Sequence, residues 1–373
     1  MSLEEQVCTL CVMDTSDPNI TFDENGVCNH WKEATEKLEK GWLPNENGQK
    51  LLEESAAEIR QAGTGKEYDC IIGVSGGIDS SYLLHVAVKL MKLSPLVVHV
   101  DAGWNSEIAV QNIEKLVKKL DLDLFTYVVN WEEMKDLQLA FLKSSVANQD
   151  IPQDHSFFAK LYEFAESKKI RYVITGSNLT SESILPSSWG YDASDSIHIK
   201  DIHKKFGKKK LKTYPMMGFI KSKIYWNYIN KMNVISPLNW IDYNKNEAIE
   251  FLMKEYGWKF YGGKHHESKW TKFFQAYYLP KKFGFDKRKA HLSSMIVAGQ
   301  ITREEALEEL KRPLYKEEEL ADDMNFISEK LGISLDEFKK LIELPNKDYS
   351  AYKNYQSRMQ FLKKLKAKFF GKK

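Results

Sequence analysis

Short apolar runs alternate with segments of helical periodicity between residues 68 and 175, and no other feature of the chain restricts its fold as strongly. The apolar runs occupy residues 68–74, 96–100, 124–129 and 172–175. The helical segments occupy residues 80–91, 106–120, 131–143 and 156–168. Apolar runs of this length are typical of strands buried on both faces, as in parallel sheets covered by crossover helices. The sequence therefore predicts an α/β fold with a doubly wound parallel sheet.

A loop rich in glycine and serine follows the first predicted strand and leads into a helix. A helix N-terminus attracts anions through its free N–H groups and dipole, and glycines let the backbone approach a phosphate closely. The acid in this loop, Asp79, would repel a phosphate unless a divalent ion lay between them, which predicts Mg²⁺. The loop lacks the Gly-Lys-Ser/Thr ending of P-loop enzymes. The predicted ATP-binding residues of the loop are Ser75, Gly76, Gly77, Asp79, Ser80 and Ser81.

Polar residues and glycines also follow two other predicted strands. Ligands of open α/β sheets gather where the strands end, so Asp101 and Gly103 after the second strand join the predicted ATP site. Asp101 is the candidate for reading the nucleoside. Gly176 and Asn178 follow the fourth strand, and Glu182 in the same segment is expected to assist the metal. The alternative for this segment is a helix cap followed by an ordinary first-turn acid.

Asp154 and His155 are the predicted proton-transfer residues. They lie just before a predicted helix, and both side chain types exchange protons readily. The alternative for Asp154 is a simple N-terminal helix cap.

Five segments spread over nearly the whole chain resemble the N-acetyl sugar amidotransferases of bacterial surface-glycan biosynthesis. They are residues 8–18 (CTLCVMDTSDP), 22–30 (FDENGVCNH), 75–81 (SGGIDSS), 261–268 (YGGKHHES) and 282–288 (KFGFDKR). The third is similar to the PP-loop of the N-type ATP pyrophosphatases, whose fold is Rossmann-like. The first and last segments are distinctive of the amidotransferase branch.

The resemblance implies an enzyme that converts the acetamido group of a nucleotide-linked sugar into an acetamidino group, in lipopolysaccharide O-antigen or other surface-glycan synthesis. ATP would be cleaved to AMP and pyrophosphate, and a separate glutaminase subunit would supply ammonia. The chemistry is consistent, because transfer of AMP to the amide oxygen creates a leaving group that ammonia displaces. Cys70 lies within the first predicted strand, so we expect it in the core and not as a glutaminase nucleophile.

A basic set in the C-terminal part of the chain is expected to bind the substrate. It suits the diphosphate of a nucleotide sugar or a sugar carboxylate. The alternative is ordinary surface charge. The residues are Lys264, His265, His266, Lys287 and Arg288.

The first thirty residues resemble a zinc knuckle made of two Cys-x-x-Cys halves. Cys8 and Cys11 form an intact first half, but Trp31 stands where the second half, begun by Cys28, has its second cysteine. His30 is the nearest substitute, because imidazole also binds zinc. We predict a structural Zn²⁺, with a metal-free head as the alternative.

The predicted units are a zinc-knuckle-like head (1–33), a helical linker (34–65), the PP-loop domain (66–235) and an α-helical C-terminal substrate or partner domain (236–373). The chain shows no signal-type segment and no apolar run of the ~20 residues that span a bilayer, so we expect a cytoplasmic protein. The lysine-rich tail, residues 361–373, has two open interpretations, a solvated helix and a membrane-surface segment.

Two other classes of protein compete with the amidotransferase. A tRNA thiolase would use the same adenylation, but it needs a reactive cysteine near the loop and a broad basic face. The net charge of +2 does not predict nucleic-acid binding. A non-catalytic nucleotide-binding scaffold would not need the metal-binding acid Asp79.

Overall fold

A five-stranded sheet organises the first two thirds of the chain. The computed structural model describes residues 6–190, 192–219, 221–222, 226, 232–262 and 267–358. The strands are Cys70–Gly73 (β1), Pro95–Asp101 (β2), Leu124–Val128 (β3), Tyr172–Ile174 (β4) and Asn233–Ile235 (β5). Their order across the sheet is β3-β2-β1-β4-β5, and every neighbouring pair is parallel. The predicted doubly wound parallel sheet is therefore confirmed.

Helices cover this sheet and make up the C-terminal part of the chain. Within the described residues they are Asn29–Gly41 (α1), Glu46–Ala62 (α2), Ile78–His85 (α3), Glu107–Leu120 (α4), Trp131–Ser144 (α5), Ile151–Ser167 (α6), Leu179–Glu182 (α7), Ser196–Phe206 (α8), Lys245–Tyr256 (α9), Lys269–Phe273 (α10), Leu279–Phe283 (α11), Lys287–Val297 (α12), Arg303–Lys311 (α13), Glu317–Leu331 (α14) and Leu335–Ile342 (α15). Helices α3 and α10 continue into π-helical turns, Val86–Leu90 and Phe274–Tyr278.

Strand β1 is buried on both faces. Cys70 and Ile72 belong to the apolar core on one side of the sheet, whereas Ile71, between them, belongs to the core on the other side. This alternation is what a two-residue side-chain period requires of a central strand. It also explains why the strand reads as a continuous apolar run.

The chain reverses direction across the sheet between β1 and β4. It passes from β1 to β2 and β3 on one side, and then returns to place β4 on the other side of β1. The loops after β1 and β4 therefore diverge and leave a crevice at the carboxyl ends of the strands, where ligands of such sheets bind.

Most predicted elements occur close to their predicted positions, with three informative differences. Helix α6 begins at Ile151, so Asp154 lies within its first turn and is not its cap. The edge strand β5 went unrecognised because it is largely exposed and lacks a continuous apolar run. Helices α14 and α15 also went unrecognised. Helix α13 begins with a capping box formed by Thr302 and Glu305.

The C-terminal region is joined to the sheet by main-chain hydrogen bonds near the end of β2. Asn105 and Ser268 form an antiparallel bridge. On either side of it, the Ser106 N–H donates to the Glu267 carbonyl at 2.8 Å, and the Lys269 N–H donates to the Trp104 carbonyl at 3.0 Å. We call residues 267–269 the clamp segment, because these bonds hold it against the loop after β2.

Membrane-spanning segments were sought among the helices of the described residues. None of these helices is long and apolar enough to cross a bilayer.

Candidate active site

The loop after β1 and the first turn of α3 together form residues 75–80, which are shaped to hold an anion. We call this segment the phosphate loop. Gly76 has a φ of +79°, and a Cβ there would lie 2.5 Å from the Ala109 carbonyl oxygen, so only glycine fits. Gly77 precedes α3, and no side chain caps this helix. The Ser75 hydroxyl accepts from the Gly77 N–H at 3.2 Å. No N-cap side chain thus occupies the first amides of α3, of which the Ile78 N–H donates to the Tyr261 hydroxyl, and such a helix end suits a phosphate.

Asp79 belongs to the phosphate loop and lies in the first turn of α3. Its Oδ1 accepts hydrogen bonds from the Tyr243 hydroxyl and, at 3.3 Å, from the Asn178 side-chain amide. Burial raises the pKa of Tyr243 well above its usual value, and the charges of Asp79 and then Glu182 raise it further. Tyr243 therefore stays protonated and donates to Asp79. Glu182 is thus close enough to Tyr243 for its charge to act on the Tyr243 hydroxyl.

The segment after β4 supports Asp79 from behind. Gly176 approaches α3 so closely that a Cβ would lie 3.0 Å from the Asp79 carbonyl carbon. Asn178 caps α7 by accepting from the Ser181 N–H at 3.0 Å, and its amide nitrogen donates to the Gly176 carbonyl at 3.2 Å. The predicted cap is thus present, and the same residue also orients the acid of the phosphate loop.

A cavity of about 470 Å³ opens at the carboxyl ends of β1, β2 and β4. Ser75 and Ser80 of the phosphate loop line one part of it. Residues from the start of α6 and from the C-terminal region also line it, and they are Asp150, Gln153, Asp154, Phe157, Glu267, Thr271 and Lys287. The cavity therefore connects the predicted phosphate site with a polar face that two distant parts of the chain build together.

Carboxylates dominate that polar face. Burial raises the pKa of Asp154 to about 6, with Lys287 opposing the shift and Glu267 adding to it. Burial also raises the pKa of Asp150 well above its usual value, and the Asp154 charge adds to the shift. The Gln153 amide donates to Asp150 at 2.7 Å. Asp154 is therefore a base that changes protonation near neutral pH, whereas Asp150 favours its neutral form.

Two predicted site residues are turned away from the cavity. The His155 Nδ1–H donates to the Ala193 carbonyl at 2.6 Å, and its Nε2 accepts from the Met217 N–H at 2.8 Å. Burial lowers the pKa of His155 to about 4, so it is a neutral structural residue. Arg288 pairs with Asp286 at 2.8 Å and donates to carbonyls at the end of α13. These contacts account for both side chains without a substrate.

Three predicted ATP-site residues have local structural roles. Ser81 lies on the buried face of α3 and is 1% exposed. The Asp101 carboxylate accepts from the Gly103 N–H at 2.7 Å and from the Asn105 amide at 3.0 Å, which shapes the turn after β2. Gly103 has a φ of +86° in that turn. The predicted substrate residues Lys264, His265 and His266 lie outside the described residues.

Sequence reasoning missed Asp150, Glu267 and Tyr243. Tyr243 precedes an amphipathic helix in a segment without a motif, so nothing in the sequence signals its contact with Asp79. Glu267 was visible only as a member of the YGGKHHES segment. The strongest available signal for Asp150 was the polar run Asn148–Asp150 before a predicted helix, which is typical of surface loops rather than of a cavity.

A thiol cluster forms in the N-terminal head. The sulfur atoms of Cys8, Cys11 and Cys28 lie within 4.8 Å of one another, and all three residues are fully buried. The Cys11 and Cys28 sulfurs are 3.7 Å apart. Tetrahedral zinc with bonds of ~2.3 Å places sulfurs about 3.8 Å apart, so the donor set fits zinc. Hydrogen bonds involving Cys11 and then Cys28 lower the pKa of Cys8, which favours a thiolate.

His30 does not belong to this cluster. Its Nε2 lies 2.6 Å from the carboxylate of Asp17, which is fully buried. The prediction of His30 as the fourth zinc ligand is therefore wrong for this arrangement, because the charged partner draws the ring away from the thiols.

Two family models match parts of this chain. The phosphoadenosine phosphosulfate reductase domain matches residues 69–239, which contain the parallel sheet and the phosphate loop. The C-terminal domain of WbpG-like lipopolysaccharide (LPS) biosynthesis proteins matches residues 267–366. The chain joins a PP-loop domain to a WbpG-like C-terminal domain. The resemblance to the surface-glycan branch is thus confirmed, and the two domains together support an ATP-using, amidotransferase-type role in LPS synthesis.

Solved structures provide a weaker comparison. The NH3-dependent NAD synthetase of Campylobacter jejuni, in complex with the nitrate ion, is 19% identical over 60% of this chain and 84% of its own, with a TM-score of 0.28. The NMN synthetase of Francisella tularensis is 15% identical over 65% of this chain and 92% of its own, with a TM-score of 0.24. The comparison with curated proteins finds no match. With such low scores, the fold assignment rests on the strand order and on the PP-loop domain match.

Proposed function

We propose that this protein is an ATP-dependent amidotransferase of surface-glycan synthesis, with LPS O-antigen synthesis the setting we favour. It would transfer AMP to the acetamido oxygen of a nucleotide-linked sugar and replace that oxygen with ammonia, forming an acetamidino sugar, AMP and pyrophosphate. The observation that carries the proposal is the cavity that joins Ser75 and Ser80 to the Asp154 face. The WbpG-like domain supports the glycan setting.

The residues of the two faces divide the chemistry. The amides of the phosphate loop and the Ser75 and Ser80 hydroxyls hold the phosphates of ATP. Asp79 would hold Mg²⁺, and the chemistry that the ion would supply is neutralisation of the phosphate charge. Asp154 takes one proton from ammonium, and the freed nitrogen lone pair forms the C–N bond. The C–O bond to AMP then breaks, and its electron pair leaves with AMP.

The charge of the cavity indicates which part of the substrate enters it. Among the described residues, the lining carries the acids Asp150, Asp154 and Glu267 and one lysine, Lys287. Such a face hydrogen-bonds the hydroxyls of a sugar and attracts ammonium, whereas a phosphate can approach it only with a cation in between. We therefore place the sugar ring and the nitrogen donor here, and not the diphosphate for which Lys287 and Arg288 were predicted.

We propose that another protein supplies the ammonia. All four cysteines of the chain, Cys8, Cys11, Cys28 and Cys70, are buried. Burial raises the pKa of Cys70 well above its usual value, which leaves it a poor nucleophile. A separate glutaminase subunit is therefore the proposed ammonia source, and the same burial of Cys70 argues against the sulfur relay of a tRNA thiolase.

Product analysis tests the proposal. Purified protein with ATP, Mg²⁺, an ammonium salt and UDP- or CMP-linked acetamido sugars should give AMP, pyrophosphate and a sugar in which NH has replaced one oxygen. Mass spectrometry detects that exchange, and ammonium removes the need for the glutaminase. AMP release that depends on tRNA, with no change in any sugar, would favour the thiolase instead.

We further propose that the thiol cluster holds a structural zinc ion. Purified wild-type protein should contain about one zinc per chain by atomic emission spectroscopy. Cys28→Ser should lose the metal and unfold at a lower temperature, because the ion links the start of α1 to the loop of Cys8 and Cys11. His30→Ala is the matched control and should keep the metal. Loss of zinc from the His30 variant alone would contradict the assignment of the ligands.

A further inference from the structure

Glu267 reaches the phosphate loop from outside the PP-loop domain. Its Oε1 lies 3.2 Å from the position that a Cβ would occupy on Gly77, the residue immediately before α3. Glu267 also lines the cavity together with Ser75 and Ser80. It is the first residue of the WbpG-like match. A carboxylate of the C-terminal domain therefore stands beside the predicted phosphate site.

The main chain fixes this placement. Glu267 lies at the start of the clamp segment, where its carbonyl accepts from the Ser106 N–H at 2.8 Å and the adjacent Ser268 bridges Asn105. Such backbone pairing restrains the Cα of Glu267 against the loop after β2, so only the side-chain rotamers remain to be ordered. The backbone of Glu267 is thus positioned before any ligand arrives, which lowers the entropy cost of placing its carboxylate on a metal.

Tyr261 connects Glu267 with Asp79. Burial raises the pKa of Tyr261, and Glu267 and then Asp79 raise it further, so its hydroxyl is within electrostatic range of both carboxylates. Glu267 therefore lies near Asp79 at the phosphate loop, although the two acids are far apart in sequence.

Two carboxylates beside a triphosphate site would weaken nucleotide binding by repulsion unless a cation lay between them and the phosphates. Mg²⁺ is commonly held by one or two carboxylates together with phosphate oxygens. We propose that Glu267 is a further protein carboxylate on the divalent cation of bound ATP, beside Asp79, so that the WbpG-like domain completes the nucleotide site. The inference rests on ATP binding by the phosphate loop, as in the proposed function.

Calorimetry with a non-hydrolysable nucleotide tests this role without any turnover. The probe is α,β-methylene-ATP, titrated into the full chain with Mg²⁺ and again with EDTA. Glu267→Gln should weaken binding by at least about tenfold in Mg²⁺, because a ligand of the cation is lost. In EDTA it should leave binding unchanged or tighter, because a repelling charge is gone. Glu267→Asp should recover part of the Mg²⁺-dependent affinity.

Controls separate this role from its rivals. Glu114→Gln removes an exposed acid of α4 and should bind like the wild type in both titrations. If Glu267→Gln tightened binding in both titrations, the carboxylate would be a plug that the phosphates displace. Equal weakening in both would mark a structural residue, and either result overturns the inference. If the wild type itself failed to bind the probe, the proposed function would fail with it, whereas probe binding without amidine formation would remove only the proposed reaction.

Discussion

Asp79→Asn is expected to lower the rate of pyrophosphate release by about a thousandfold, because loss of the carboxylate removes metal stabilisation worth several kcal/mol. Asparagine retains the side-chain volume and an oxygen that accepts from Tyr243 and Asn178. The fold should therefore persist, with a change of at most about 1 kcal/mol from the lost charge at the helix N-terminus. A coupled pyrophosphate assay and a thermal unfolding curve measure the two effects.

Asp121→Asn is the control for that experiment. Asp121 is exposed at the end of α4 with a φ of +56°, a conformation that asparagine tolerates. It should keep the wild-type rate. Wild-type turnover by the Asp79 variant would show that this acid holds no catalytic metal.

Asp154→Asn is expected to abolish amidine formation while leaving adenylation nearly intact. Asparagine cannot accept the proton from ammonium, but the substitution leaves the Ser75 and Ser80 part of the cavity lining unchanged. ATP–pyrophosphate exchange with the sugar substrate, measured without ammonium, should therefore stay within about threefold of the wild type, and the ammonium-dependent rate should fall by at least about a hundredfold.

The pH profile supplies a second readout for Asp154. Its pKa is raised to about 6, and the proton acceptor must be ionised. The wild-type amidation rate should therefore fall as pH drops through 6, and not nearer the usual value of 3.8. A raised pKa also means that the folded state loses stability as pH rises through 6, so the Asn variant should gain stability over the wild type at pH 8 but not at pH 4.

Glu163→Gln is the control on the same helix. Glu163 pairs with Lys160 at 3.1 Å on α6, and it is not among the described residues that line the cavity. It should leave the pH profile unchanged. If residual amidation by the Asp154 variant retained the same acidic limb, another group would be the base.

The PP-loop half of the site was predictable because its residues are contiguous. Gly76, Gly77 and Asp79 lie between one strand and one helix, so local geometry alone brings them together. Asn178 was reached by a rule of similar simplicity, since parallel strands end at one edge of the sheet. Chain direction and strand order were sufficient for these residues.

The part of the cavity in which we place the sugar and ammonium could not be predicted in the same way. Asp150 was hidden because polar residues normally indicate surface, and burial of its carboxyl depends on bonds from Gln153 and Thr271. His155 and Arg288 had suitable chemistry, but backbone groups and the Asp286 carboxylate already pair with their polar atoms. Which polar group faces a cavity depends on partners distant in sequence.

Periodicity, the glycine-serine loop and the spaced cysteines were enough to predict a parallel α/β sheet, a phosphate site and a thiol cluster, since each signal is a pattern that can be recognised along the chain. The pairing of Glu267 with the phosphate loop, the buried acids of α6 and the exclusion of His30 from the thiols needed the folded molecule. Electrostatic energies depend on separation in space and on burial, and neither quantity is written in local sequence.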